Sequence, residues 1–227
     1  MSSTEIRGNV EVSNVNRLAS ESHSKELRCG KDGSLFTADW FQSMAMEGRM
    51  FCAQAGVLTT PITWTATAAN DQAKPAMFIS VPDGTTIIPL EISLYMEAFG
   101  TDSLFECAAI TGTGGVSAGG TAMSITNMRT DAPHTSLCTA TSDLTGGTAC
   151  TANVNEFWKS GVQKVATTAT ADDASMRNPD VFTWRYTDGM FAPVIKGAGQ
   201  IMVTQGSQAG TGFGRIIFVE IPTAWLL

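Results

Sequence analysis

The chain has 227 residues and a formal net charge of −7, with 15% of its residues charged and 43% hydrophobic. An acidic chain without a Lys/Arg cluster is not built to neutralise phosphates, which excludes gripping nucleic acid as its main task. The ionic share is below the roughly one quarter usual in soluble globular chains, so Thr, Ser, Ala, Gly and Asn must cover much of the surface, and such a surface tolerates repeated contact with copies of itself.

Residues 1–33 read as a polar N-terminal arm with isolated apolar positions at Ile6, Val10, Val12, Val15 and Leu18. Arg7, Arg17, Lys25, Arg28 and Lys31 are balanced by Glu5, Glu11, Glu21 and Glu26, so this is not a basic, genome-binding arm. The spaced Val and Ile residues suit an arm that adds a strand to a neighbouring sheet edge. The arm carries no apolar leader and no run of about 18 apolar residues occurs anywhere, so a membrane span is not expected. Residues 34–58 read as a short helix or an apolar anchor. Trp40, Phe41, Met44, Met50 and Phe51 fall near helical spacing, interrupted at Gly48.

From residue 59 to 227 the period is that of strands, and the segment reads as one β domain. Residues 77–81 (MFISV) stop at Pro82-Asp83-Gly84, a turn in which Pro presets φ and Gly accepts a positive one. In residues 88–99, Leu90, Ile92, Leu94 and Met96 share one face, while Glu91, Ser93, Tyr95 and Glu97 share a wet one. Pro89 places the start of that strand at a sheet edge or ahead of regular pairing. Strands follow at 103–110 and 121–128, separated by the glycine-rich tip 112–120. Residues 129–151 read as a long contact-making loop unless short strands hide in it. Some apolar content returns at 154–165, and 166–178 is polar. Three strands finish the chain at 181–186, 199–204 and 213–221. The turn 206–212 is expected to join the last two as a hairpin, and the last strand, apolar on both faces, is expected to sit centrally. About eight short strands with little helix predict an all-β, antiparallel two-sheet sandwich, with the jelly roll as the commonest arrangement at this length.

Reactive constellations are sparse. The two histidines, His23 in the arm and His134 in the long loop, do not suit a preorganised catalytic site, and no H-x-x-H spacing offers a metal site. Five cysteines without a C-x-x-C pair read as buried apolar residues; Cys138 and Cys150 flank Gly146-Gly147 and could be bridged locally. The loop 112–120 lacks the Lys-Ser/Thr of a phosphate loop. Asp172, Asp173 and Asp180 could supply oxygen ligands to Ca²⁺, without the spacing of a calcium loop. Trp64, Trp158, Trp184 and Trp225 could line a sugar-binding surface, although such rings usually fill a core or an interface. No catalytic, cofactor-binding or metal-binding residue is assigned.

The stretches FISVPDGTTIIPLEISLYMEAF and GQIMVTQGSQAGTGFGRIIFVEIP resemble the strand-turn-strand grammar of jelly-roll virion proteins, including phage capsid, head-fibre and coat subunits. That resemblance implies a non-enzymatic shell subunit, made in the host cytoplasm and resident in the virion. Its partners would be copies of itself in trimers or pentamers, and other virion proteins. A carbohydrate- or receptor-binding β-sandwich, such as a fibre tip or adhesin, is the second reading, and a cupin-type enzyme is the third.

Overall fold

The structure, a computed structural model, describes residues 39–65, 70–99, 104–163, 180–187, 191–206 and 209–226. The arm 1–33 and His23 lie outside them, as do Asp172 and Asp173.

The first described element is α1 (Trp40–Met46), which starts where Asp39 accepts a hydrogen bond from the Gln42 amide at 2.9 Å. It ends at Gly48, whose φ of +72° a helix cannot use and whose missing Cβ leaves room for Pro133. The helix or anchor expected over 34–58 is therefore split. Strand β1 (Met50–Ala55) begins two residues later, with Phe51, Ala53 and Ala55 turned into the core and Gln54 outward.

In chain order there follow β2 (Ile62–Trp64), β3 (Met77–Val81), β4 (Thr85–Phe99) and β5 (Leu104–Thr113). A set of short strands comes next: β6 (Val116–Ala118), β7 (Thr121–Ala122), β8 (Ser124–Asn127), β9 (Thr139–Ser142) and β10 (Gly146–Thr148). The chain then runs through β11 (Ala152–Gln163), β12 (Asp180–Arg185), β13 (Ile195–Lys196), β14 (Gly199–Gln205) and β15 (Gly210–Pro222), closing on a 3-10 turn at Thr223–Trp225.

One sheet has the order β12-β4-β15-β1-β8, with β13 also pairing β4 and β2 also pairing β15; the other has the order β11-β5-β14-β3-β9-β7. A separate ribbon pairs β10 with β6, and the strand pairings are antiparallel throughout. Both sheets feed one core. Phe51, Ile92, Leu94, Ile216 and Phe218 come from the first, and Met77, Ile79, Phe105, Ile201 and Val203 from the second. The protein is an all-β, two-sheet antiparallel sandwich, with β15 central in its sheet between β4 and β1.

Three sequence expectations meet a different structure. Segment 206–212 makes no hairpin, because β14 lies in the second sheet between β5 and β3 while β15 lies in the first, so the chain crosses the sandwich here. Both strands are apolar on both faces, and alternation cannot separate two strands that pair with each other from two that each sit inside a different sheet. Pro89 sits inside β4, opposite Phe218 and beside the register shift between Ile217 and Phe218. It lies between the end of β13 pairing at Ile87 and the start of β12 pairing at Glu91, where the outer neighbours of β4 leave a gap. The wet face of β4 is partly covered, since Ser93 is fully buried. For residues 129–151 the alternative left open is the one observed, since the short strands β9 and β10 lie in that segment. Together with β6, β7 and β8 they form an insertion after β5 that adds β8 beside β1 and β9 beside β3.

The outer faces are only partly covered. On the second sheet Phe78, Ile110 and Met202 lie under Leu144 and Cys150. On the first, Met44 of α1 packs on Val219 and Ile221 amid Trp40, Phe41, Leu90 and Trp225, and the Phe41 ring meets Tyr186 edge-on at 4.9 Å.

Candidate contact surfaces

Beyond the reach of α1, the outer face of the first sheet centres on Glu91. Strand register brings Arg185 directly opposite Glu91 and Arg215 opposite Ser93. Ser93 Oγ donates to Glu91 Oε1 at 2.8 Å, Arg215 Nε donates to the same oxygen at 2.8 Å, and Arg185 Nε donates to Oε2 at 2.7 Å. Burial alone would raise the Glu91 pKa; the hydrogen bonds from Ser93, Arg215 and Arg185 overcome that and hold the carboxyl below its usual range. Such a cluster locks three strands in register. Its carboxylate is saturated by these donors, so it is structural rather than a free base.

At one end of the sandwich a cleft of about 220 Å³ is lined by Arg49, Thr85, His134, Leu137 and Glu220 among others. Glu220 is buried and already committed, accepting from Ser136 Oγ at 2.5 Å and from the Leu137 amide at 2.9 Å. His134 is an exposed loop residue whose carbonyl accepts from Asn127 Nδ2 at 2.9 Å. The structure thus brings His134 near a carboxylate that holds the loop in place through these two bonds.

A second cleft of about 400 Å³ opens between β5, β11 and β14, lined by Asn70, Glu106, Lys159, Thr204 and Gln205 among others, and none of its lining residues is aromatic. Thr204 Oγ1 donates to Asn70 Oδ1 at 2.6 Å, and Lys159 pairs with Glu156 at 2.5 Å.

The tryptophans considered for sugar stacking are otherwise engaged. Trp64 and Trp184 are core residues, Trp158 packs against the core, and Trp225 lies in the α1 cluster under the Arg49 guanidinium at 4.4 Å. Cys138 and Cys150 are both free, because Cys138 faces the shared core while Cys150 packs with Phe78 and Met202 on the other side of the second sheet. Burial pushes the Cys107 thiol up to about 12, and burial together with neighbouring Glu220 raises Cys138 further. Asp180 opens β12. Among the described residues, no group of three or more His, Cys, Asp or Glu side chains lies where it could hold a metal ion. No helix among them is long and apolar enough to cross a membrane.

Sequence reasoning missed a feature of strand β1. β1 and β2 both pair with β15, Ala55 opposite Gly214 and Ile62 opposite Gly212, so they are one strand interrupted by residues 56–61. The interruption carries Val57 at 58% exposure and Leu58 at 87%. Its only sequence signal is Gly56 and Pro61 bracketing a short apolar pair. Other large apolar side chains also stand in solvent, Leu137 at 68% and Phe191 at 98% among them.

No protein-family model, curated protein or solved structure matches this chain.

Proposed function

We propose that this chain is a structural subunit of a virus particle, a capsid or coat protein of jelly-roll type that assembles with copies of itself through loops, sheet edges and the N-terminal arm. The observation that carries the reading is the strand pairing. Let the eight principal strands β1, β3, β4, β5, β11, β12, β14 and β15 be numbered first to eighth. The first then pairs with the eighth, the second with the seventh, the third with the sixth and the fourth with the fifth. Those four pairs, taken as one long antiparallel ribbon folded over so that alternate pairs fall in opposite sheets, support a jelly-roll path. Jelly rolls host shell proteins, lectins and cupins, so the fold alone does not choose between them. The low ionic content and the apolar side chains left in solvent favour the shell subunit. The placement of Trp64, Trp158, Trp184 and Trp225 in packed clusters weighs against a sugar-binding tip.

Sedimentation velocity and negative-stain imaging of the purified chain test the proposal. Oligomers or closed shells are the expected result, and a single monomer species across concentration and salt overturns it. Deleting residues 1–33 is expected to leave the β fold intact, by far-ultraviolet circular dichroism, and to weaken assembly.

A further inference from the structure

The six-residue interruption of the β1–β2 strand has the attributes of a docking knob. It leaves the sheet at Gly56, whose φ is +75° and whose Cα is pressed so close to the Gly212 carbonyl and the Ile62 amide that a Cβ would sit 3.1 Å from each. It closes on itself through two reciprocal backbone bonds, Val57 N–H to Thr60 O at 3.1 Å and Thr60 N–H to Val57 O at 2.7 Å. A turn tied at its base and across its neck loses little conformational freedom when it is buried, so the apolar area it presents is available for binding. Beside it lies an open groove of about 460 Å³ lined by Gln54, Gly56, Val57, Leu58, Thr59 and Phe213.

The charges decide what this surface meets. None of the chain's Asp, Glu, Lys, Arg or His residues lies between Met50 and Asn70, between Cys107 and Met128, or between Gly206 and Gly214. The first stretch supplies β1, the knob and β2, the second supplies β8, and the third supplies the start of β15. The knob and its groove therefore carry no charge of their own; the nearest charges are tied up, Arg215 opposite Gln54 by Glu91, Asp143 by the Thr65 amide, and Arg129 by Asp131. The opposite flank carries Glu156, Lys159 and Arg185 on β11 and β12. Residues 1–33 hold five basic and five acidic side chains, so the net charge of −7 falls on the rest of the chain. Copies of such a molecule repel one another wherever acidic surface meets acidic surface, and a neutral apolar patch is where they approach without that penalty. A patch that contains both a knob and a groove of matching chemistry also satisfies the requirement of a symmetric contact, in which the same surface serves both partners.

We infer that this uncharged knob and groove form the surface by which the protein binds a second copy of itself, with Leu58 inserted into the partner's groove beside Phe213. This rests on the self-assembly reading above and specifies its contact. The test compares wild type, Leu58→Asp and Leu58→Ala with Thr183→Asp, which places a charge on the exposed face of β12 at the opposite flank. Thermal melts monitor folding, and all three substitutions are expected to leave them unchanged because Leu58 and Thr183 are exposed. Sedimentation equilibrium is expected to show self-association weakened on the order of thirtyfold by Leu58→Ala, and more by Leu58→Asp, with Thr183→Asp unaffected. If Thr183→Asp dissociates the oligomer and the Leu58 variants do not, or if none of them does, the inference is overturned while self-assembly stands. A wild-type chain that stays monomeric overturns both.

Discussion

Replacing Glu91 by Gln keeps the shape of the cluster on the first sheet and removes its charge, which makes the energetic role of the cluster measurable. The carboxylate is 12% exposed and serves Ser93, Arg215 and Arg185, whose arginine side chains are 35% and 61% exposed. A hydrogen bond to a charged group contributes about 1.5–3 kcal/mol and a neutral one about 0.5–1.5, so each well-shielded bond loses about 1 kcal/mol on neutralisation. The bonds from Ser93 and Arg215 count at that rate, and the solvent-screened Arg185 pair adds about 0.5 kcal/mol. The expected loss is about 2–3 kcal/mol, or a fall in Tm of about 5–10 °C for a chain of this size. Urea unfolding at pH 7 should also rank the partners, with Arg215→Gln costing about 2 kcal/mol and Arg185→Gln about 0.5 kcal/mol. Because the folded-state pKa of Glu91 lies below its ordinary 4.5, its stabilisation is complete above that value and is lost as pH falls through the folded pKa. The gap between wild type and Glu91→Gln should accordingly shrink in acid. A loss under about 0.5 kcal/mol at pH 7, or a gap that widens as pH falls, would refute the reasoning.

Three further outcomes are expected. Glu220→Ala removes the acceptor of the Ser136 hydroxyl and the Leu137 amide, and should cost about 3 kcal/mol in urea unfolding while raising proteolysis at residues 129–138. Gly212→Ala would set a Cβ 1.9 Å from the Tyr95 carbonyl, a backbone atom that cannot move aside, so soluble yield should collapse and the residual folded protein should melt at least 10 °C lower, by about the shift of a 3 kcal/mol loss. Iodoacetamide at pH 8 should leave Cys107 and Cys138 unmodified in the folded protein and label both in urea, as peptide mapping would show, and oxidation should yield no Cys138–Cys150 bridge.

The strands were legible wherever one face is buried and the other is wet. Ile92, Leu94 and Met96 in β4 show the buried face, whereas Leu90, expected on that same face, lies at the register shift and joins the outer cluster with Met44, and Pro82-Asp83-Gly84 marks the end of β3 by turn chemistry alone. What was hidden has physical causes. All seven residues of β14 are buried, so its sequence has no alternation from which its sheet could be read. Trp40 to Phe51 mixes a helix and a strand whose apolar residues happen to continue one spacing, and only the left-handed backbone at Gly48 separates them. The short strands β7, β9 and β10 are built from Thr, Ser, Ala and Gly, residues that a loop also uses, β8 adds only Ile125 and Asn127, and their pairing depends on neighbours far away in sequence. The Glu91 cluster combines residues from β4, β12 and β15, so no local motif could have announced it.

The two flanks of the sandwich deal with free strand edges in opposite ways, and this bears on how copies can meet. On the flank that ends in β11 and β12, long strands lie at the sheet limits among the described residues, and the Glu156–Lys159 pair and Arg185 stand there. Charges on an open edge discourage another strand from adding to it. On the other flank the insertion after β5 covers β1 with β8 and β3 with β9, so the sheets end in strands of four and two residues, β8 and β7. Edges that short offer little backbone to pair with, and charge is not needed to guard them. The flank that can do without charge is thus the one where copies can approach by packing side chains. The insertion that closes the sheets is also what leaves the knob and groove free of edge-guarding charge.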